Sequence, residues 1–169
     1  MKKLKGFIFV IIGLAAVITL ISLLMPSTVV TIRSVTINAE PENVMAQISN
    51  LNNWKNWHPF FKNNADVKEV NDDLEWTEKG ELNKLHISEK NANGIRILIE
   101  RKKNKSVIND ITLSVVDNQT QVEWKGVTYV KWYPWEKFSG IFLNSIVGPG
   151  YESALNGLKS YEENLGTIK

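Results

Sequence analysis

Apolar positions along the chain follow three different periods. Residues 6–25, GFIFVIIGLAAVITLISLLM, carry no charge and are apolar on every face, unlike a helix resting on a soluble core. Twenty helical residues rise about 30 Å, the thickness of a bilayer's hydrocarbon core. From residue 29 the period drops to two. In the strand read at 29–39, Val29, Thr31, Arg33, Val35 and Ile37 share one face, while Val30 and Ile32 begin the other. Pro41 then suits a first helical turn, and Val44, Ile48 and Leu51 follow at i, i+4 and i+7. A short turn carrying Trp54 and Trp57 stops before Pro59.

Period two returns over 66–130. The spacing predicts strands at 66–70, 73–79, 82–90, 94–102, 106–116 and 120–130. Asn71-Asp72, Gly80, Asn91-Ala92-Asn93-Gly94, Lys103-Asn104 and Asp117-Asn118 supply the turns. Val107, Ile111, Leu113 and Val115 make one row, with the polar Asn109 inside it. Thr120, Val122, Trp124, Gly126, Thr128 and Val130 make the next, and Ile95, Ile97 and Ile99 another. Such alternation fits an antiparallel sheet with one covered face. Beyond Trp132-Tyr133-Pro134-Trp135, a short helix is expected over 136–147, ended by Gly148-Pro149-Gly150. A final helix of about 16 residues follows, its stripe marked by Tyr151, Leu155, Leu158 and Leu165. The fold class is therefore α+β. A curved antiparallel sheet of six or seven strands wraps on a C-terminal helix, and sheet and helix diverge to leave an apolar wedge.

Charge separates the segments. With Lys2, Lys3 and Lys5 set aside, the 20 basic residues become 17 against 18 acidic ones, so residues 26–169 sum to −1. A nucleic-acid-binding domain would carry a basic face, so nucleic acid is not an expected partner. Residues 1–5 read as a cytoplasmic tip, 6–25 as a transmembrane anchor and 29–166 as the folded domain. A cleaved signal has a shorter apolar stretch, about 7–15 residues, and a small-residue site; here no alanine occurs between Ala16 and Ala39. The positive-inside rule puts the three lysines in the cytoplasm and the domain outside a single-pass cell-membrane protein. Protection of the domain from protease added to intact cells would contradict that orientation. The absence of cysteine excludes disulfides, thiolate metal sites and a cysteine nucleophile, and two histidines are too few for a histidine-rich metal site. No metal or cofactor is expected, and nothing in the pattern specifies an oligomer.

Several short stretches resemble the START-like, or SRPBCC, superfamily, often labelled polyketide cyclase/dehydrase, and its bacterial membrane-anchored members in particular. They are Ser34-Val35-Thr36-Ile37-Asn38-Ala39 with Pro41 and Val44, Trp54-Lys55-Asn56-Trp57 before Pro59-Phe60, Thr120-Gln121-Val122-Glu123-Trp124, and Val147-Gly148-Pro149-Gly150-Tyr151 leading to Leu155 and Leu158. The resemblance covers nearly the whole chain and rests on the order and spacing of these motifs. It implies a helix-grip fold with a cavity between sheet and C-terminal helix. It also implies binding of lipids, sterols, polyketides or other hydrophobic compounds.

The candidate lining of that cavity is Trp76, Trp124, Tyr129, Phe142, Tyr151 and Leu155. A hydrophobic small molecule or lipid is the expected partner, with the membrane engaged through residues 6–25. An enzymatic alternative, of polyketide cyclase/dehydrase type, needs two titratable groups in the cavity, with His58, His86, Arg96 and Glu78 as candidates. A third reading is a partner-binding module with a filled core. Trp54 and Trp57, three apart, suit a packing plug better than a lid. Asp72, Asp73, Glu75 and Glu78 read as a solvated cluster, Arg101-Lys102-Lys103-Asn104-Lys105 as a hairpin tip that could touch lipid phosphates, and the sequon Asn118-Gln119-Thr120 as a turn.

Overall fold

The computed structural model describes residues 2–101 and 107–167; beyond Arg101, the basic turn noted above lies outside the described residues. Helix α1 (Lys2–Leu24) is followed by β1 (Thr28–Ile37), α2 (Pro41–Ile48), a 3₁₀ turn (Leu51–Asn53), α3 (Trp54–Trp57) and α4 (Pro59–Asn63). Strands β2 (Lys68–Val70), β3 (Asp73–Glu78), β4 (Glu81–Asn91), β5 (Gly94–Arg101), β6 (Val107–Val116) and β7 (Gln119–Tyr129) come next. Helix α5 (Pro134–Thr167) closes the chain.

The seven strands form one antiparallel sheet in the order β1-β7-β6-β5-β4-β3-β2. Three of its hairpins turn on two residues that both have positive φ: Asn71-Asp72, Lys79-Gly80 and Asp117-Asn118. That backbone matches the right-handed twist of the flanking strands. The sequon asparagine is thus part of a β-turn. The expected rows become the inner face, where Ile95, Ile97, Asn109, Ile111, Val122 and Trp124 are all buried. Val30 and Ile32, of opposite parity on β1, are exposed on the outer face.

One helical expectation needs correcting. Residues 136–147 and the closing helix are one element, the 34-residue α5, which runs through Pro149. A proline normally drives the residue before it out of the helical region, through its Cβ and N–H. Here that residue is Gly148, which has no Cβ, and the Arg33 guanidinium lies on its face. Proline also gives up one helical hydrogen bond. Packing along β1 offsets that loss. Past the turn that stops before Pro59, residues Pro59–Asn63 form α4, with Pro59 at the helix start and Phe61 buried.

Helix α5 runs alongside β1 in the same direction. Lys137 Nζ donates to Met25 O (2.8 Å) and Ser27 Oγ (2.6 Å), Arg33 Nη1 donates to Asn144 Oδ1 (3.2 Å), and Lys159 Nζ donates to Thr36 O (2.9 Å). Asn38 N–H donates to Glu163 Oε1 (3.1 Å). From Lys137 to Glu163 the helix rises about 39 Å, and from Ser27 to Asn38 the strand rises about 36 Å, so the two stay in step. The end of α1, the start of β1, the end of β7 and the start of α5 therefore meet at one end of the domain.

Candidate functional site

Between the sheet and the C-terminal half of α5, the interior is packed with rings. Trp54 stacks on His58 (5.5 Å between centroids, 8°) and packs against Trp57, Phe61 and Trp124 at 4.9–5.8 Å. Its indole Nε1 donates to Ile48 O (3.0 Å). Trp57 O presses on α5 at Gly157, where a Cβ would collide with it; this lets the short α3 and α4 plug the gap between sheet and helix.

Asn109, fully buried, is the polar centre of this layer. Its Oδ1 accepts from Trp124 Nε1 (3.1 Å) and from the Tyr151 hydroxyl (2.5 Å), while Trp124 and Tyr151 stack at 5.1 Å and 13°. Gly126 makes room for the hydroxyl, since any Cβ there would strike it. Burial pushes the Tyr151 phenol up to about 12, with Arg101 opposing the shift. Tyr151 therefore stays protonated at neutral pH and acts as a donor, not as a base.

His58 is held near 4 because burial penalises its charged form, with a backbone hydrogen bond opposing, and its Nδ1 has no partner. An unfolded histidine titrates near 6.5. Between about 4 and 6.5 the unfolded chain thus binds more protons, and stability falls as pH drops through that window. The contribution is fully present above 6.5. The expected loss from pH 7 to 4 is on the order of 3 kcal/mol. His58→Phe should flatten this limb in urea-unfolding titrations; an unchanged slope would place the titration elsewhere.

Toward the α1 end, where Gly140 of α5 lies close to Val29 and Val130, strands β5–β7 and α5 border a cleft of about 670 Å³. Val107, Thr128 and Val130 of the inner sheet rows form its floor, and Ser139 and Leu143 of α5 form a wall. Tyr129, Lys131 and Trp135 stand at the rim, and Arg101 and Glu136 complete the lining. The volume lies in the range of small-molecule sites, and the mix of an apolar surface with a few charged groups is what such sites present. Val130 N–H donates to Ser27 O (2.9 Å), so the cleft lies just past the end of α1. A second hollow, about 460 Å³, lies near the C-terminal end of α5, between that helix and α2. Its lining includes Asn38, Glu40, Asn43, Gln47 and the buried Glu162, whose carboxyl burial pushes up.

The six residues expected to line the cavity occupy three places. Trp124, Tyr151 and Leu155 come together with Trp76 in the packed core, Trp76 lying against Phe60 and Phe61. Tyr129 stands on the cleft. Phe142 is 61% exposed. Sequence reasoning missed Leu143, Thr128, Val130, Arg101 and Val107 as lining, and Asn109 as the buried polar centre. Their signal was the row membership of Thr128, Val130 and Val107, and one asparagine inside an apolar row.

The titratable candidates do not converge. His58 lies half-buried against Trp54, Trp57, Phe61 and Trp124, whereas His86 and Arg96 belong to the outer face, where Arg96 is bonded to Asp110 (2.7 Å) and Glu89 (2.9 Å). Glu78 is exposed at a hairpin. In the acidic cluster, Asp73 and Glu75 face Lys84 at 2.8 and 4.0 Å. Among the described residues no three His, Asp or Glu side chains group as a metal site would need.

Comparison with solved structures places the fold. A Bacillus cereus protein, XoxI, superposes with a TM-score of 0.59 at 19% identity, covering 82% of this chain and 98% of its own. The di-domain ARO/CYC StfQ from the steffimycin biosynthetic pathway gives a TM-score of 0.61 at 7% identity, over 83% of this chain and 52% of its own. Ara h 8.0201, of the Bet v1-like fold, gives 0.51 at 11%, over 81% and 99%. Comparison with curated proteins gives no match. Residues 28–163 match the family described as polyketide cyclase / dehydrase and lipid transport. With its seven strands gripping one long helix, the chain belongs to that family, within the START-like, or SRPBCC, superfamily.

Proposed function

We propose that this chain binds a lipid or another hydrophobic small molecule in the cleft between β5–β7 and the first half of α5, at the surface of the membrane that α1 spans. The observation that carries the reading is the position of the cleft. Its floor residue Val130 is bonded to Ser27, just past the end of α1, so a guest would pass between bilayer and protein over a short path. Helix α1 supports the anchor by length and composition, with 20 residues at a mean hydropathy of 3.0. With the N-terminus cytoplasmic, the domain and its cleft face the exterior.

Binding would be driven by burial, with Arg101 and Lys131 able to meet an anionic or polar end. Burying about 300 Å² of guest yields roughly 8 kcal/mol gross at about 25 cal/mol per Å². Association costs of about 4 kcal/mol or more leave micromolar-to-millimolar affinity. Titration of the full chain in detergent with a fluorescent fatty acid tests this. Saturable binding in that range, displaced by unlabelled fatty acid, is expected. A probe that stays in the micelle phase at every protein concentration would contradict it. The enzymatic alternative gains no support from the dispersed positions of His58, His86, Arg96 and Glu78.

A further inference from the structure

Helix α5 has an outward face that changes character at its midpoint. Trp135, Phe138, Phe142 and Ile146 fall on the side turned away from the sheet. The residues 18 positions later, five full helical turns, are Ser153, Asn156, Ser160 and Asn164. They share the same angular positions and are all polar. In the first half the apolar side chains are open: Trp135 is 70%, Phe142 61% and Ile146 70% exposed. A helix serving only as cover for the sheet would be polar outward along its whole length.

The apolar half is also the half nearest α1. Lys137, on the opposite side of the same turns, is buried and ties α5 to Met25 O and Ser27 Oγ, just past the end of α1 at Leu24. Around this junction Trp132 is exposed, Tyr133 stacks on Trp135 (5.1 Å, 13°), and Lys131 lies 5.6 Å from the Tyr133 ring. Tryptophan, tyrosine and lysine grouped at the end of an apolar helix are what the headgroup layer favours.

We propose that the outward face of residues 135–146 docks into the headgroup–acyl boundary of the bilayer that α1 enters, laying the domain down on the membrane. This rests on the reading of α1 as a span. The stripe is about 17 Å long, so an α5 standing upright would wet only its first turn. Full contact needs the helix to lie in the interface, with its apolar side immersed about 5–10 Å. Trp135 borders both the stripe and the cleft, so docking turns the mouth of the cleft toward lipid.

The chain has no cysteine, so single thiols can be placed without removing native ones. Full-length Gly13→Cys, Phe142→Cys and Ser160→Cys, each carrying an environment-sensitive fluorophore, would be reconstituted in vesicles of zwitterionic and anionic phospholipid containing nitroxide lipids. The Gly13 label should be quenched by deep nitroxides. The Phe142 label should shift to the blue and lose emission to shallow nitroxides, and the Ser160 label should do neither. A water-like Phe142 label beside a quenched Gly13 label overturns the docking face and leaves the anchor standing. A blue-shifted Phe142 label untouched by nitroxide lipids means that protein covers the stripe, which also overturns it. An unquenched Gly13 label removes the anchor and the docking face together.

Discussion

Replacing Trp54 by alanine is expected to destabilise the domain by about 3–5 kcal/mol, the range for truncating a buried tryptophan. The indole has no accessible surface and touches four other rings. Its removal also leaves Ile48 O without its partner, an effect of about 1–3 kcal/mol for a buried acceptor. Domain stabilities of about 5–15 kcal/mol leave little margin for such a loss. Chemical unfolding of the full chain in detergent, followed by circular dichroism, checks this. Trp57→Phe serves as a milder control, because it keeps a ring at the plug. An unchanged midpoint for Trp54→Ala would mean that α3 is a loose lid and not part of the core.

The second large effect concerns the cleft. Thr128 lies on its floor, on the inner row of β7. Thr128→Trp fills that space with an indole while leaving the Asn109–Trp124–Tyr151 layer in place. Fatty-acid affinity should fall by tenfold or more, equivalent to about 1.4 kcal/mol of lost contact. The pH dependence of unfolding should stay as in the unsubstituted chain, since His58 lies against Trp54 and Phe61. Phe142→Ala, on the exposed side of α5, should leave affinity in detergent unchanged. Equal affinity for Thr128→Trp and the unsubstituted chain would move the guest out of the cleft.

The sheet was readable because its faces differ. Ile95, Ile97, Ile111 and Val122 could be sorted from alternation alone, and paired turn residues such as Asp117-Asn118 marked its hairpins. Helix α5 was harder. Gly148-Pro149-Gly150 carries three helix-breaking residues, and the helix runs through them where Arg33 lies on Gly148 and the next residue, Tyr151, is bonded to Asn109. Splitting the helix there also hid its 18-residue contrast, because Trp135 and Ser153 were assigned to different elements. The aromatic residues could not be divided between core, cleft and surface for a related reason. Phe142 and Leu143 are neighbours in sequence, but a helix turns them about 100° apart, and sequence alone does not say which one meets the sheet. Asn109 was visible as a polar residue in an apolar row. Its partner Tyr151 lies 42 residues away on another element, a pairing set by how α5 lies on the sheet.

The most direct measurement is native mass spectrometry of the full chain, purified in mild detergent and stripped of micelle in the gas phase. The account predicts a bound mass of one lipid-sized molecule that survives detergent removal and is lost in Thr128→Trp. A bare chain mass from the unsubstituted protein, together with failure to take up added fatty acid, would contradict it.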